Sequence, residues 1–170
     1  MKKYQGSIYP AQAFSTNTAT DPYLIKLKDA FIQHWRYGHH PDLGRDTLFA
    51  RPEEILNYHI RKVHIKTPDY SDKHGFNGTK KCWDEWEQGR LNKYGKVNKI
   101  PTSDAYLIYA VSDQRHAALL AFWEPPAHTK ADIIQNTITI IDQADEFYRK
   151  KKFISMDRIE HPWDYKWEMP

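Results

Sequence analysis

The sequence predicts a single α+β domain in which an antiparallel β-sheet packs against helices. Its 170 residues suit one domain, and hydrophobic residues at 40% with aromatics at 14% can build a core. Two apolar runs at 104–111 and 117–123 have the pattern of a β-hairpin. Amphipathic helix patterns precede and follow them in the sequence. We expect the domain to span residues 1–153, with a long basic insertion at about 68–101 and a C-terminal extension at 154–170.

The first half of the chain alternates helical and extended patterns. Residues 4–15 suit an edge strand, and Thr20-Asp21-Pro22 is a helix-start signal. The helix continues until Gly38, its apolar positions being Leu24, Leu27, Phe31 and Trp35. A loop is predicted at 41–46, a helical turn after Pro52, and a strand at 59–67. That strand places Ile60, Lys62 and His64 on one face and Arg61, Val63 and Ile65 on the other.

The second half contains the clearest signals. Residues 80–88 suit a short helix, whereas 104–111 and 117–123 are apolar runs joined by a polar turn, which predicts a central hairpin. A final helix is expected to begin at Thr129 and to end at Lys150-Lys151-Lys152. Its predicted buried stripe consists of Ile133, Ile134, Thr137, Ile141, Ala144 and Tyr148. Residues 154–170 are expected to lie over the surface or to form an interaction segment.

Charge is unevenly distributed along the chain. Residues 1–100 carry 17 basic and 11 acidic side chains, whereas residues 101–170 carry 8 and 11. Within 61–99 the basic residues are interleaved with aromatics, a mixture suited to phosphate contact and base stacking. A solvated loop has the same composition, so nucleic-acid binding is one of two interpretations.

Several classes of protein are excluded or disfavoured. No apolar run reaches the roughly 20 residues that a membrane-spanning helix needs, and no signal core follows Met1, so we expect a cytoplasmic protein without a membrane partner. Cys82 is the only cysteine, which excludes an internal disulfide. His39, His40 and Asp42 favour a surface cluster over a metal site. No cofactor and no metal are predicted.

A few polar residues suit chemistry on phosphate. The guanidinium of Arg45, held by the neighbouring Asp46 carboxylate, could bind a phosphate through two hydrogen bonds. The same two residues could instead form an ion pair that fixes a loop. His64 lies in the predicted strand, and His128 stands where the hairpin gives way to the final helix. Asp104 precedes the hairpin and could cap a turn or orient a catalytic group.

The order of these segments resembles the YafO family, toxins of bacterial type II toxin–antitoxin systems, over roughly residues 22–150. The resemblance rests on Phe31 to Gly38, the Pro41 to Asp46 loop, Arg61 to Ile65, Ser103 to Tyr109 and Pro125 to His128. It implies a RelE/ParE-like fold and an endoribonuclease that cuts messenger RNA on the translating ribosome. The implied partners are a cognate antitoxin, the ribosome and mRNA.

Under that interpretation the site residues take specific roles. Arg45 and Arg61 neutralise phosphate, while His64 or His128 moves protons. Asp46 orients Arg45 or a histidine, Asp104 is an alternative base, and Tyr106 or Tyr109 stacks on a base or belongs to the core. The candidates for contact with ribosomal RNA are Lys80, Lys81, Lys93, Lys96 and Lys99.

Two other functions remain open at this point. The same fold family includes toxins that inhibit a protein target such as DNA gyrase, and in that case Arg45 and His64 would only hold loops. A nucleic-acid-binding regulator without catalysis is the third possibility; its binding would depend on salt and would not change when His64 and His128 are both replaced.

Overall fold

The computed structural model describes residues 2–68, 70 and 75–170, and it shows five strands in one sheet, ordered β1-β5-β4-β3-β2. The predicted α+β class is therefore confirmed. The strands are β1 (Ile8–Pro10), β2 (Leu43–Leu48), β3 (Ile60–Ile65), β4 (Tyr106–Val111) and β5 (Ala117–Trp123). The helices are α1 (Gln12–Thr18), α2 (Pro22–Tyr37), α3 (Lys80–Glu87), α4 (Ala127–Ala131) and α5 (Ile134–Lys151), with 3₁₀ helices at Glu53–Tyr58, Phe76–Gly78 and Tyr165–Trp167.

Strands β2 to β5 pair in the antiparallel sense that the sequence predicts, and the hairpin of β4 and β5 is central. The short strand β1 adds a parallel edge beside β5. The predicted edge strand at 4–15 is correct only for these three residues, because the chain turns into helix α1 directly afterwards. The predicted loop at 41–46 is wrong from Leu43 onwards, where β2 begins.

Each face of the sheet is covered by one long helix. On the face that packs against α2, Phe31 and Trp35 meet Tyr109 of β4. On the face that packs against α5, Ile140 and Phe147 join the cluster that contains Ile108. Since side chains alternate along a strand, β3 sends Arg61 towards α2 and sends Lys62 and His64 to the α5 face, as the parity of the sequence predicts.

The first long helix begins and ends where the sequence predicts. The Asp21 carboxylate accepts a hydrogen bond from the Tyr23 N–H at 2.9 Å and so caps the helix. Gly38 has a φ of 76°, a left-handed conformation that favours glycine, and its N–H donates to the His34 carbonyl at 2.7 Å.

The last helical region differs from its prediction, because it consists of the short helix α4 followed by α5. The break falls at Asp132 and Ile133, and it leaves Ile133 and Ile134 in solvent, at 48% and 61% exposure. The predicted stripe is therefore wrong at these two positions. The buried residues of α5 are Thr137, Ile140, Ala144, Phe147 and Tyr148.

Part of the C-terminal segment packs into the core on the α2 face. Met156 and Trp167 are buried there. The guanidinium of Arg115, fully buried in the β4–β5 turn, donates to the carbonyls of Pro162 at 2.5 Å and Trp35 at 2.8 Å. The domain boundary after residue 153 remains a prediction, but this segment contributes to the packing of the domain. None of the helices described is both long and apolar enough for a membrane span.

Candidate active site

A β-bulge in β2 determines which side chains face the α5 side of the sheet. Leu43 pairs with Ile65 and Asp46 with Val63, so Gly44 and Arg45 together stand opposite His64. A bulge re-aims side chains, and here Arg45 and Asp46 face opposite sides of the sheet. Gly44 is required by a close approach, because a Cβ at this position would lie 2.2 Å from the Pro101 carbonyl oxygen.

Beside the bulge lies a cavity of about 540 Å³, open on the α5 face. It is formed by β2, β3, the start of β4 and the entry to α4, four segments that are distant in the sequence. Five predicted site residues meet here. The lining residues are Arg45, Thr47, Lys62, His64, Thr102, Ser103, Asp104, Tyr106, Pro126, His128 and Thr129.

His64 is held in place by the chain just before β4. Its Nδ1 lies 2.9 Å from the Ser103 nitrogen and 2.7 Å from the Ser103 carbonyl oxygen, and the tautomer decides which of the two contacts is a hydrogen bond. The imidazole also stands edge-on against the ring of Tyr106, with 4.8 Å between ring centroids. The backbone of Ser103 and the aromatic ring thus fix the orientation of this histidine.

Tyr106 connects the two histidines of the cavity. Its hydroxyl lies 3.4 Å from Nδ1 of His128. Burial, together with the charges of Asp104 and Asp132, raises the pKa of Tyr106 to about 12, so the phenol is protonated at neutral pH. A protonated phenol can donate to Nδ1 or accept from it, so the tautomer of His128 decides the direction of this contact.

Asp104 positions His128 through the backbone. Its carboxylate accepts a hydrogen bond from the His128 N–H at 2.7 Å, and its carbonyl accepts one from the Ala127 N–H at 3.0 Å. The carboxylate therefore fixes the start of α4, from which the exposed His128 side chain reaches the cavity.

Lys62 is a member of the cavity that the sequence analysis did not select. Its Nζ lies over the rings of Tyr106 and Phe49, 4.7 and 5.1 Å from their centroids. Burial lowers the pKa of Lys62, although the charge of Asp132 counteracts this effect. Residues 2–68, 70 and 75–170 supply no ion-pair partner for it. Lys62 lies two residues before His64 in β3, so both side chains face the same side of the sheet. This spacing in the sequence could have identified Lys62 as a member of the site.

Asp46 and Arg61 do not belong to the cavity, contrary to the roles expected for them. They lie on the α2 face, where Arg61 Nε donates to Asp46 Oδ1 at 2.8 Å, and Asp46 Oδ2 accepts from the Tyr109 hydroxyl and lies 3.3 Å from His34 Nε2. Tyr109 is likewise a core residue. The physical reason is the alternation along β2 and β3, which separates Asp46 from Arg45 and Arg61 from His64.

The charges of this buried network support each other. Burial alone would raise the pKa of Asp46, but the Arg61 charge and hydrogen bonds from His34 and Tyr109 outweigh it and hold that pKa well below its ordinary value. For Arg61, burial acts to lower the pKa, and the neighbouring Asp46 charge more than compensates. The shifts favour the ionised forms of both side chains, which form a buried ion pair on the α2 face.

The predicted RNA-binding lysines fall into two environments, and none of them lines the cavity in the described part of the chain. Lys80 pairs with Asp84 at 2.5 Å on α3, and Lys81 lies over the Phe76 ring. Lys93, Lys96 and Lys99 are exposed on the loop that leads from α3 towards β4.

The histidines considered for a metal site make other contacts. Nε2 of His39 lies 3.1 Å from the Trp86 carbonyl oxygen, and Nδ1 of His40 accepts a hydrogen bond from the Asp42 N–H at 3.1 Å. Across the ranges that the structure describes, no three His, Cys, Asp or Glu side chains are grouped to hold a metal ion.

One comparison with known proteins identifies a family. The family model described as toxin YafO, type II toxin–antitoxin system, matches residues 26–149. This range covers more than two thirds of the chain and includes every residue of the cavity. No curated protein and no solved structure matches the chain. The chain therefore belongs to the YafO toxin family of type II toxin–antitoxin systems.

Proposed function

We propose that this toxin is a ribosome-dependent endoribonuclease that cleaves mRNA in the cavity on the α5 face. The observation that carries the proposal is the convergence of Arg45, His64 and His128 on one cavity from three separate segments. RNA cleavage without a metal needs a general base, a general acid and stabilisation of negative charge, and two imidazoles and a cation can supply these functions. Membership in the family implies that a cognate antitoxin is the partner that controls this activity.

The two cations of the cavity would bind the scissile phosphate. Arg45 is exposed, and its backbone is fixed by a 2.8 Å hydrogen bond from its N–H to the Pro101 carbonyl. A guanidinium can contact two phosphate oxygens at once. Lys62, half-buried over two aromatic rings, would stabilise the additional negative charge of the transition state.

The two histidines would carry the proton transfers. One imidazole removes the proton of the 2′-hydroxyl, whose oxygen forms a bond to phosphorus, and the other protonates the 5′-oxygen as its bond to phosphorus breaks. The products are a 2′,3′-cyclic phosphate and a free 5′-hydroxyl. Ser103 and Tyr106 orient His64, and Tyr106 together with Asp104 orients His128.

In the proposed reaction the ribosome would position the substrate for the small set of groups in the cavity. The decoding site can hold the message in a geometry that the toxin alone would not impose, which reduces the entropic cost of cleavage. The basic insertion at about 68–101 would supply cations for contact with ribosomal RNA, because phosphate contacts are largely independent of sequence.

Mapping mRNA ends in a purified translation system tests this function. We expect new ends when toxin, message and ribosomes are combined, no new ends without ribosomes, and protection by the cognate antitoxin. Arrest of growth with intact transcripts would contradict the proposal, and inhibition of DNA supercoiling by gyrase in the same preparation would identify a toxin with a protein target.

Replacement of Lys62 tests the second cation. We expect Lys62→Met to lower the cleavage rate by about 10²-fold or more, in line with the loss of one group that stabilises transition-state charge. Lys62→Arg should keep much of the rate because it keeps the charge. Lys150→Met, which replaces an exposed lysine outside the cavity, is the matched control. Equal rates for Lys62→Met and the wild-type protein would exclude Lys62 from the reaction.

A further inference from the structure

The loop of residues 89–100, here called the basic loop, is held in a defined shape by its own hydrogen bonds. Asn92 Oδ1 accepts from the N–H groups of Tyr94 at 2.9 Å and Lys96 at 3.1 Å. Leu91 and Val97 form a β-bridge, and Asn98 Nδ2 donates to the Gly89 carbonyl at 2.7 Å. The loop is therefore ordered before any partner binds.

This ordered loop presents aromatic and cationic groups to solvent. Tyr94 is 74% exposed at the turn, and Lys93 lies over its ring at 5.0 Å. Lys93, Lys96 and Lys99 are exposed, and no carboxylate pairs with them among the residues that the structure describes. From residue 89 to residue 103 the sequence contains no Asp or Glu. Unpaired cations around an exposed aromatic ring match the phosphates and bases of RNA.

Helix α3, which precedes the loop, has a different character. It carries two lysines and three acidic residues, Asp84, Glu85 and Glu87. Lys80 pairs with Asp84, and Glu87 reaches Lys66 at 3.6 Å. The buried Trp83 and Trp86 donate hydrogen bonds to the carbonyls of Thr102 and Leu43. Helix α3 thus anchors the loop to the cavity wall, and three of its five charged side chains form ion pairs.

We propose that the basic loop is a docking element for ribosomal RNA, in which Lys93, Lys96 and Lys99 contact phosphates and Tyr94 stacks on an unpaired base. The inference rests on the proposed function and narrows the ribosome contact from the whole insertion to the basic loop. None of the three loop lysines lines the cavity described above, so the RNA that they contact is separate from the cleaved phosphodiester. Because residues 101–103 continue directly into the cavity wall, docking would place the cavity on the ribosome.

Binding of the full-length toxin to purified ribosomes, measured over a range of salt concentrations, tests the docking element. We expect K93Q/K96Q/K99Q to weaken binding and to reduce the slope of log K against log salt by about 2, for three lost phosphate contacts. Tyr94→Ala should weaken binding by about five- to 150-fold, with the slope unchanged, and Tyr94→Phe should restore it. K150Q/K151Q/K152Q, which removes three exposed lysines at the end of α5, is the matched charge control, and it should bind as the wild type does.

Several outcomes would overturn the docking element. The first is ribosome binding by K93Q/K96Q/K99Q as tight as that of the wild type, and the second is an equal loss of binding in K150Q/K151Q/K152Q. The docking element also fails if the triple variant binds ribosomes normally and loses affinity only for a short single-stranded RNA or only for the antitoxin. Failure of the docking element can be distinguished from failure of the proposed nuclease. If the triple variant loses ribosome binding and the wild-type toxin leaves all mRNA intact, the docking element stands and the nuclease fails. If the wild type cleaves mRNA and the triple variant binds and cleaves equally, the nuclease stands and the docking element fails.

Discussion

Simultaneous replacement of His64 and His128 by alanine is expected to abolish mRNA cleavage on the ribosome. Each positioned acid or base contributes about 10²–10⁴-fold to a rate, and the double variant loses both. The exposed His128 can be replaced without disturbing the core, whereas His64 is 8% exposed and contacts Ser103. His64→Gln therefore serves as a second variant that keeps a polar side chain at this position. The measurement is the rate of appearance of new mRNA ends.

The matched control for the double variant is His161→Ala, because His161 is exposed on the C-terminal segment, away from the lining of the cavity as described. It should cleave at the wild-type rate. Binding to the antitoxin and thermal unfolding report whether each variant is folded. If the double variant is folded and cleaves mRNA at the wild-type rate, neither histidine acts as the general acid or base.

Replacement of Asp46 by asparagine is expected to have the largest effect on stability. The substitution leaves Arg61 in a buried position, 4% exposed, without its countercharge. Breaking one partner of a buried pair costs about 3–5 kcal/mol of unfolding free energy. Chemical denaturation measures this loss. The folded fraction should retain mRNA cleavage, because Asp46 lies on the face of the sheet opposite the cavity.

The surface pair of Asp145 and Arg149 provides the control. Both side chains are largely exposed on α5, so Asp145→Asn should change the free energy of unfolding by no more than about 0.5 kcal/mol. An equally small effect of Asp46→Asn would show that the buried network does not stabilise the fold. Normal stability combined with a loss of cleavage would instead restore the catalytic role that the sequence suggested for Asp46.

The stabilising effect of Asp46 should also depend on pH. Its pKa in the folded protein lies below the ordinary value of 3.8, so its contribution is complete above that value and is lost as the pH falls further. The free energy of unfolding of the wild-type protein should therefore decrease in acid more steeply than that of Asp46→Asn. If the free energies of unfolding of the two proteins decreased equally as the pH falls, the lowered pKa of Asp46 would be contradicted.

Patterns of period two and period 3.6 were sufficient to predict most of the fold. The alternation in β3 is enough to place Lys62 and His64 on one face of the sheet and Arg61 on the other. The stop at Gly38 and the hairpin of β4 and β5 followed from equally local signals. Such features depend on neighbouring residues only, which is why a single sequence reveals them.

Features that depend on distant segments were not predictable in the same way. The bulge at Gly44 and Arg45 exists because β2 has to pair with β3 and pass close to Pro101, whereas the local sequence is typical of a loop. Because the bulge was not predicted, the ion pair between Asp46 and Arg61 could not be inferred from the sequence. The break before α5 and the packing of Trp167 into the core likewise depend on tertiary contacts that no local pattern encodes.

The chemical nature of the cut ends tests the central claim most directly. Under the proposed mechanism, attack by the 2′-oxygen would leave a 2′,3′-cyclic phosphate on one fragment and a 5′-hydroxyl on the other. Fragments produced on ribosomes by the wild-type toxin should therefore accept phosphate from a polynucleotide kinase without prior dephosphorylation, and the double histidine variant should produce none. Fragments with a 5′-phosphate and a free 3′-hydroxyl would contradict the account, because they require attack by water rather than by the RNA itself.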